Sequence, residues 1–344
     1  MVIRKRLNIS LKFYYSKIND KKKNCTKTML NKICYTIIKK IIRFIKHLNL
    51  DQTVFDRLIF CIGINQLTSS RQSYKNFTTL NEAELKVFSQ NGEDGIIDYL
   101  VHQLEIPSPN FVEIGIGNYR ESNTRFLYNR THSKGLIIDR LDQLYAKVKP
   151  YVNLWKGDLR IQQKIVTAEN INEILSKYCD YEIDIFSLDI DGIDYWIISK
   201  LRPNISKIFI AEYNPVFGPD LEVTVPNIID FDRINYHYSG LCYGISLKAL
   251  IKQMEKKNYY FLGTNLQKMN AFFISKDLKK ESFFPKINLR KLSYYSDSNI
   301  RDSRDQNYNL TYLSGSKKIK EIENCEVIDL SNGNNQKSKI KNLL

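Results

Sequence analysis

Acidic residues stand at five places where an apolar run gives way to a turn. They are Glu113 in EIGIGNYRESN, Asp139 in IIDR, Asp158 in WKGD, Asp189 and Asp191 in SLDIDG, and Glu212 in AEYNP. A carboxylate at such a point can accept hydrogen bonds from ligand hydroxyls, hold a cation on oxygen, or take a proton. The stretch DIFSLDIDGIDYW is the densest, with Asp184, Asp189, Asp191 and Asp194 within eleven positions. Three uses compete for these residues: a helix cap, a metal site, or the wall of a cofactor pocket.

Glu113, Gly115 and Gly117 form E-x-G-x-G between an apolar run and the start of a helix. Glycines there let the backbone approach a ligand. A dinucleotide fingerprint would place a third glycine where Arg120 stands. An acid at a helix N-terminus is also ill suited to a pyrophosphate. It suits a ligand bearing positive charge, and S-adenosylmethionine carries a sulfonium and an ammonium. Asp139 follows twenty-six residues after Glu113, where a carboxylate can accept both ribose hydroxyls. Asp158, read as the end of a third strand, is then assigned to the adenine edge. Each acid taken alone is equally a helix cap.

Asp191-Gly-Ile-Asp194 has capping-box spacing, which makes Asp191 the expected N-cap of the next helix. Asp189, two positions earlier, shares its strand face and is directed into the cleft. Asp189, Asp191 and Glu212 together could hold a divalent cation, with magnesium the candidate. The alternative is that Asp189 orients or deprotonates an acceptor hydroxyl. His237 in NYHYSG is a second candidate base, set against a solvated loop histidine.

These residues need elements to position them. GEDGIIDYLVHQL, SNTRFLYN, LDQLYAKV, TAENINEILSKY, GIDYWIISKL and SLKALIKQMEKK read as helices, with Thr167 capping the fourth. NFVEIG, GLIID, VNLWKGD, DIFSLDI, SKIFIAEY, YYFLG and NAFFIS read as strands. The alternation predicts an α/β, Rossmann-like doubly wound and mostly parallel sheet, with ligands beyond the carboxyl ends of its strands. The expected domains are a basic helical arm over 1–83, the sheet domain over 84–280, and an irregular extension over 281–344 whose end, SNGNNQKSKIKNLL, is disordered.

Residues 1–50 carry fourteen Lys and Arg against one acid, Asp20, and so hold +13 of the net charge of +15. A basic stripe over the whole surface is therefore not indicated, and no nucleic-acid partner is expected. Ile33, Ile37, Ile38, Ile41, Ile42 and Ile45 recur at helical spacing among lysines. The stretch 28–48 is thus a candidate for peripheral contact with an anionic membrane, or for packing on a partner or on the domain itself. Six cysteines without C-x-x-C pairs, and no long apolar run or secretory leader, point to reduced thiols and a cytoplasmic, at most membrane-associated, protein.

FSQNGEDGII, FVEIGIGNYRESNTRF, GLIID, DIFSLDIDGIDYW, IAEYNPVFGP, YGISLKALIK and NAFFIS, in this order, resemble class I S-adenosylmethionine-dependent methyltransferases of the FkbM-like group. The resemblance spans about residues 86–278. It implies the class I methyltransferase fold and S-adenosylmethionine as cofactor. It matches Glu113, Gly115 and Gly117 to the cofactor loop, Asp139 to the ribose-binding acid, and Asp189 to the position facing the methyl group. The expected reaction is O-methylation of a small molecule, sugar or lipid-linked glycan. A DxD glycosyltransferase, with LDIDG on a metal-held sugar nucleotide, and a non-catalytic binding domain are the alternatives.

Overall fold

The computed structural model describes residues 52–285 and 302–344. The basic stretch 28–48 lies outside the described residues. The chain divides into two compact units, Met1–Asp56 and Arg57–Leu344.

Helix α1 (Gln52–Arg71) leads by short turns to α2 (Glu93–Gln103). There follow β1 (Phe111–Ile114), α3 (Arg125–Thr131), β2 (Gly135–Asp139), α4 (Leu144–Val148), β3 (Leu159–Gln163) and α5 (Ile171–Tyr178). The alternation continues through β4 (Ile185–Leu188), α6 (Asp194–Lys200) and β5 (Ile208–Glu212). The chain then passes β6 (Val223–Thr224), the one-turn α7 (Arg233–Tyr236) and α8 (Leu247–Lys256) to reach β7 (Tyr259–Thr264) and β8 (Asn270–Ser275). The last described elements are α9 (Ser316–Glu321), β9 (Glu326–Asp329) and β10 (Gln336–Lys339).

The main sheet has seven strands in the order β3-β2-β1-β4-β5-β8-β7. Pairings among the first five are parallel; β8 runs antiparallel to both β5 and β7. The fold is the expected α/β Rossmann-like one. The strands β1, β2, β4 and β5 are short and apolar because both faces are covered. Val112, Ile114, Phe186, Leu188 and Phe209 pack on one side with Ile171, Ile197 and Leu250 of α5, α6 and α8. Phe111, Ile137, Ile185 and Ile208 pack on the other with Ile96, Leu100 and Leu127 of α2 and α3. Each such fully buried side chain contributes roughly 1.5–3 kcal/mol. Strand order reverses between β1 and β4, so a crevice opens there beyond the carboxyl ends.

Three expectations need correction. The third strand lies over Leu159–Gln163 rather than over VNLWKGD. It is an edge strand, only half-buried, and lacks the apolar run that marks its neighbours. Asp158 therefore precedes β3 and sits at the amino end, away from the crevice; its carboxylate meets Arg160 at 3.2 Å. The chain end is ordered, with β10 pairing β9 and β9 pairing β6 in a second antiparallel sheet. Helix α5 begins at Ile171, and Thr167 forms a local turn to Glu169 rather than its cap.

Candidate active site

The crevice is a cleft of about 680 Å³ lined by the loops after β1, β2, β3, β4 and β5. Glu113, Gly115, Gly117, Asp139, Asp189, Asp191 and Glu212 all line it, whereas Asp158 and His237 do not.

At the β1 end the chain turns sharply into the segment before α3. Gly115 has φ +87°, and a Cβ there would lie 1.5 Å from the Asp189 carbonyl oxygen. Glycine is thus required for the β1 and β4 ends to meet. Gly117 has φ +54° and no atom within 4 Å of where its Cβ would be, so its backbone faces open cleft. Asp139 closes this wall. Its carboxylate accepts from the backbone N–H of Gly117 at 2.7 Å and of Leu141 at 2.8 Å.

Glu113 is almost wholly buried and looks back into its own loop. It accepts from the Ser122 hydroxyl at 2.6 Å, from the N–H groups of Asn123 and Thr124 at 2.9 and 3.0 Å, and from the Thr124 hydroxyl. Burial nevertheless raises its carboxyl above the ordinary range, because desolvation exceeds what these donors return. Glu113 shapes the loop; its own oxygens are largely spent on protein donors.

The capping-box expectation fails at β4. The carboxylate of Asp194 reaches back to the N–H groups of Ile190 and Gly192, at 3.2 and 3.0 Å. Burial raises it to about 6. Asp191 adopts a left-handed φ of +55° and turns to the cleft, where it meets the Arg233 guanidinium at 3.1 Å. Asp189, Asp191 and Glu212 each present a carboxylate oxygen within 4.8 Å of the others. All three are raised above the ordinary carboxylate range by withdrawal from water. For Asp189 the neighbouring charge of Asp191 adds to this while Glu212 opposes it, and for Glu212 the charges of Asp189 and Asp191 add.

Several residues were not legible beforehand. Arg233, on α7, spans Asp191 and Asp302, each at 3.1 Å. Its helix is capped by Asp232, which accepts from Ile234 and Asn235 N–H; the local sequence FDRINY carries that cap signal but not the cleft position. Lys164, Ile165 and Val166 replace Asp158 beyond the third strand. Asn270 pairs with Glu212 in the β5–β8 register and lines the cleft. Its Nδ2 donates to Glu93 at 2.8 Å, while its buried Oδ1 has no hydrogen-bond partner among the described residues. Of the SQNGEDG segment, Gln90 reaches the cleft. Asp94 instead binds the N–H groups of Val87, Phe88 and Ser89, and α2 opens at Gly92 without a side-chain cap.

No family model and no curated protein matches the chain. Among solved structures, the chain is similar to an S-adenosylmethionine-dependent methyltransferase from Anabaena variabilis, with 13% identity over 60% of this chain and 94% of that one, at a TM-score of 0.32. A complex of the Haloferax volcanii Trm112 methyltransferase activator with a methyltransferase is similar at 11% identity, over 47% of this chain and 68% of that one, at a TM-score of 0.29.

Proposed function

We propose that this protein is an S-adenosylmethionine-dependent methyltransferase that methylates a hydroxyl of a small molecule, a sugar or a lipid-linked glycan. The observation that carries the reading is the division of one cleft into two walls. One wall is the open Gly117 backbone with Asp139, and the other is the carboxyl cluster of Asp189, Asp191 and Glu212.

The first wall fits the cofactor. Asp139 keeps lone pairs beyond its two backbone bonds, which suit a ribose diol, and the open space at Gly117 leaves room for a ligand against the backbone. The apolar Ile165 and Val166 offer a surface for a base. When bound, S-adenosylmethionine supplies an activated methyl group on a sulfonium. What remains for the protein is to align the acceptor and exclude water. Asp189, deep in the cleft, is the base we assign to the acceptor hydroxyl. A carboxyl raised from its ordinary range is a better proton acceptor at neutral pH.

The second wall also fits a divalent cation such as magnesium. Three carboxylates and the unpartnered Asn270 Oδ1 make an all-oxygen set of the kind hard cations take. A cation there would ease loss of the hydroxyl proton.

Calorimetric titration with S-adenosylmethionine, with and without magnesium, tests the cofactor reading; absence of saturable binding sinks it. Manganese titration read by electron paramagnetic resonance tests the cation separately, and an unchanged free-ion signal removes it. Binding of a sugar nucleotide with manganese, in place of S-adenosylmethionine, would favour the DxD alternative.

A further inference from the structure

Away from the cleft, two groups of apolar side chains stand open to water on the side of the sheet that α2 and α3 cover. None of them lines the cleft.

The first group is on α1. Phe60, Ile64 and Leu67 turn inward onto Phe88 and Phe126, and the Phe60 and Phe126 rings meet edge to face at 5.6 Å. The outer face of such a helix is ordinarily polar. Here its second and third turns carry Leu58, Ile59 and Ile62, which are 55%, 40% and 67% exposed. Polar residues take over the outer face only from Asn65 and Gln66 onward, with Thr68 and Ser69.

The second group begins in α4. Leu144 and Val148, with Val152 beyond them, bury in the same layer as Leu127 of α3. Tyr145 and Trp155 instead remain 57% and 82% exposed, so the Trp155 ring adds almost nothing to the core. The segment 145–156, YAKVKPYVNLWK, has three lysines and no acid. Lys149 and Lys156 are exposed, and the Lys156 ammonium lies 5.2 Å from the Trp155 ring centroid.

Helix α3 joins the two groups. Its Phe126 meets α1. Its Asn129 side chain donates to the Tyr151 carbonyl at 3.2 Å, and its Arg125 guanidinium lies 4.6 Å over the Tyr151 ring. The aliphatic ridge therefore flanks α3 on one side and the basic aromatic segment flanks it on the other.

We propose that this surface docks on an anionic phospholipid membrane. Residue type and charge select that partner. Tryptophan and tyrosine beside lysine suit the headgroup region, where the rings lie in the interface and the ammonium groups reach the phosphates. The aliphatic side chains of α1 supply the part that enters the acyl boundary. Segment 145–156 is uniformly positive, and residues 1–50, which lead directly into α1 in the sequence, carry +13. The negative potential of an anionic leaflet attracts each such charge. A second copy of this chain, set face to face by a two-fold axis, would instead meet its own lysines. Docking here leaves the cleft unoccupied, and the inference does not depend on methyl transfer.

The test titrates the full-length protein with vesicles of phosphatidylserine and phosphatidylcholine in a one-to-three ratio, and with vesicles of phosphatidylcholine alone. Trp155 is the reporter. On the mixed vesicles alone, tryptophan emission should move to the blue and be quenched by brominated phosphatidylcholine. Trp155→Phe should remove both changes, since Trp196 is held by its bond to the Val225 carbonyl. The double variant Leu58→Ser/Ile62→Ser should lower vesicle partition about tenfold or more, and Lys149→Ala/Lys156→Ala about tenfold. All four side chains are exposed, so melting temperatures should stay unchanged and the losses report on docking. Partition insensitive to both double variants overturns the proposal. So does binding through residues 1–50 alone, with Trp155 still quenched by acrylamide as in water. A dimer in sedimentation that Leu58→Ser/Ile62→Ser abolishes, without vesicle binding, would overturn it in favour of self-association.

Discussion

The two walls of the cleft use carboxylates in opposite ways. On the β1–β2 wall, Glu113 and Asp139 meet protein hydrogen-bond donors. On the β4–β5 wall, Asp189 and Glu212 meet each other and Asp191. An acid surrounded by donors holds a loop in shape. An acid surrounded by acids carries an electrostatic cost that a shared proton, a cation or a substrate hydroxyl relieves. Of the five acidic segments of similar appearance, the four that reach the cleft divide by surroundings: the acids of one wall are held by protein donors, and those of the other crowd one another.

The sharpest test is Asp189→Asn. We expect methyl transfer to fall by about 10²–10⁴-fold, the usual contribution of a general base. The melting temperature should hold or rise, because one of three crowded charges is gone. A drop of several degrees would show that Asp189 is architectural and erase the contrast.

Glu113→Ala should behave the other way. It strands the hydroxyls of Ser122 and Thr124 and the N–H groups of Asn123 and Thr124. A loss of about 3 kcal/mol is expected in denaturant unfolding, with Glu113→Gln retaining part of it. Stability unchanged in the alanine variant would mean that the loop does not rely on this carboxylate.

Asp139→Ala is expected to weaken S-adenosylmethionine about tenfold or more by calorimetry, equivalent to about 1.4 kcal/mol. Its effect on stability should be small, because the freed N–H groups of Gly117 and Leu141 border the cleft and can bind water. Asp158→Ala, at the opposite end of the sheet, should leave affinity unchanged; equal losses from both would break the assignment of the ribose wall.

The smallest expected effect concerns Asp94. Three backbone N–H groups donate to it, yet burial raises it to about 7. The folded chain therefore keeps a proton that the unfolded chain releases above about pH 4. Stability from this group is full below that point and is lost as pH rises towards 7. The melting temperature should decline by a few degrees across that window, and Asp94→Asn should flatten the decline. A curve unaffected by the substitution would show that donors alone hold the buried carboxylate charged.

Much of the frame was legible because it rests on local apolar runs. FVEI, GLIID, IFSL and IFIAE are buried on both faces, so their composition alone marks them as strands. Where a strand lies at an edge this signal fades. LRIQQ and QKSK pair by backbone while exposing much of their side chains, and VNLWKGD misled because Trp155 stays 82% exposed. Of the site, Glu113, Asp139, Asp189 and Glu212 were read at their true strand ends. Asp158 was not, because its place depended on the edge strand.

The sequence by itself determined the alternation of strand and helix, the glycine turn after β1, and the presence of acids along the crevice, since each follows from neighbours within a few positions. Only the tertiary structure decided what those acids do. Asp194 reached back to the Ile190 and Gly192 N–H groups, and Asp191 turned instead to Arg233. The β5–β8 register brought Asn270 beside Glu212 from fifty-eight residues away. The chain's end was brought to α7, where the Tyr236 hydroxyl donates to the Glu326 carbonyl from ninety residues away. A carboxylate's role depends on which dipoles and charges lie within a few ångströms of it, and in a folded chain those come mostly from elsewhere in the sequence.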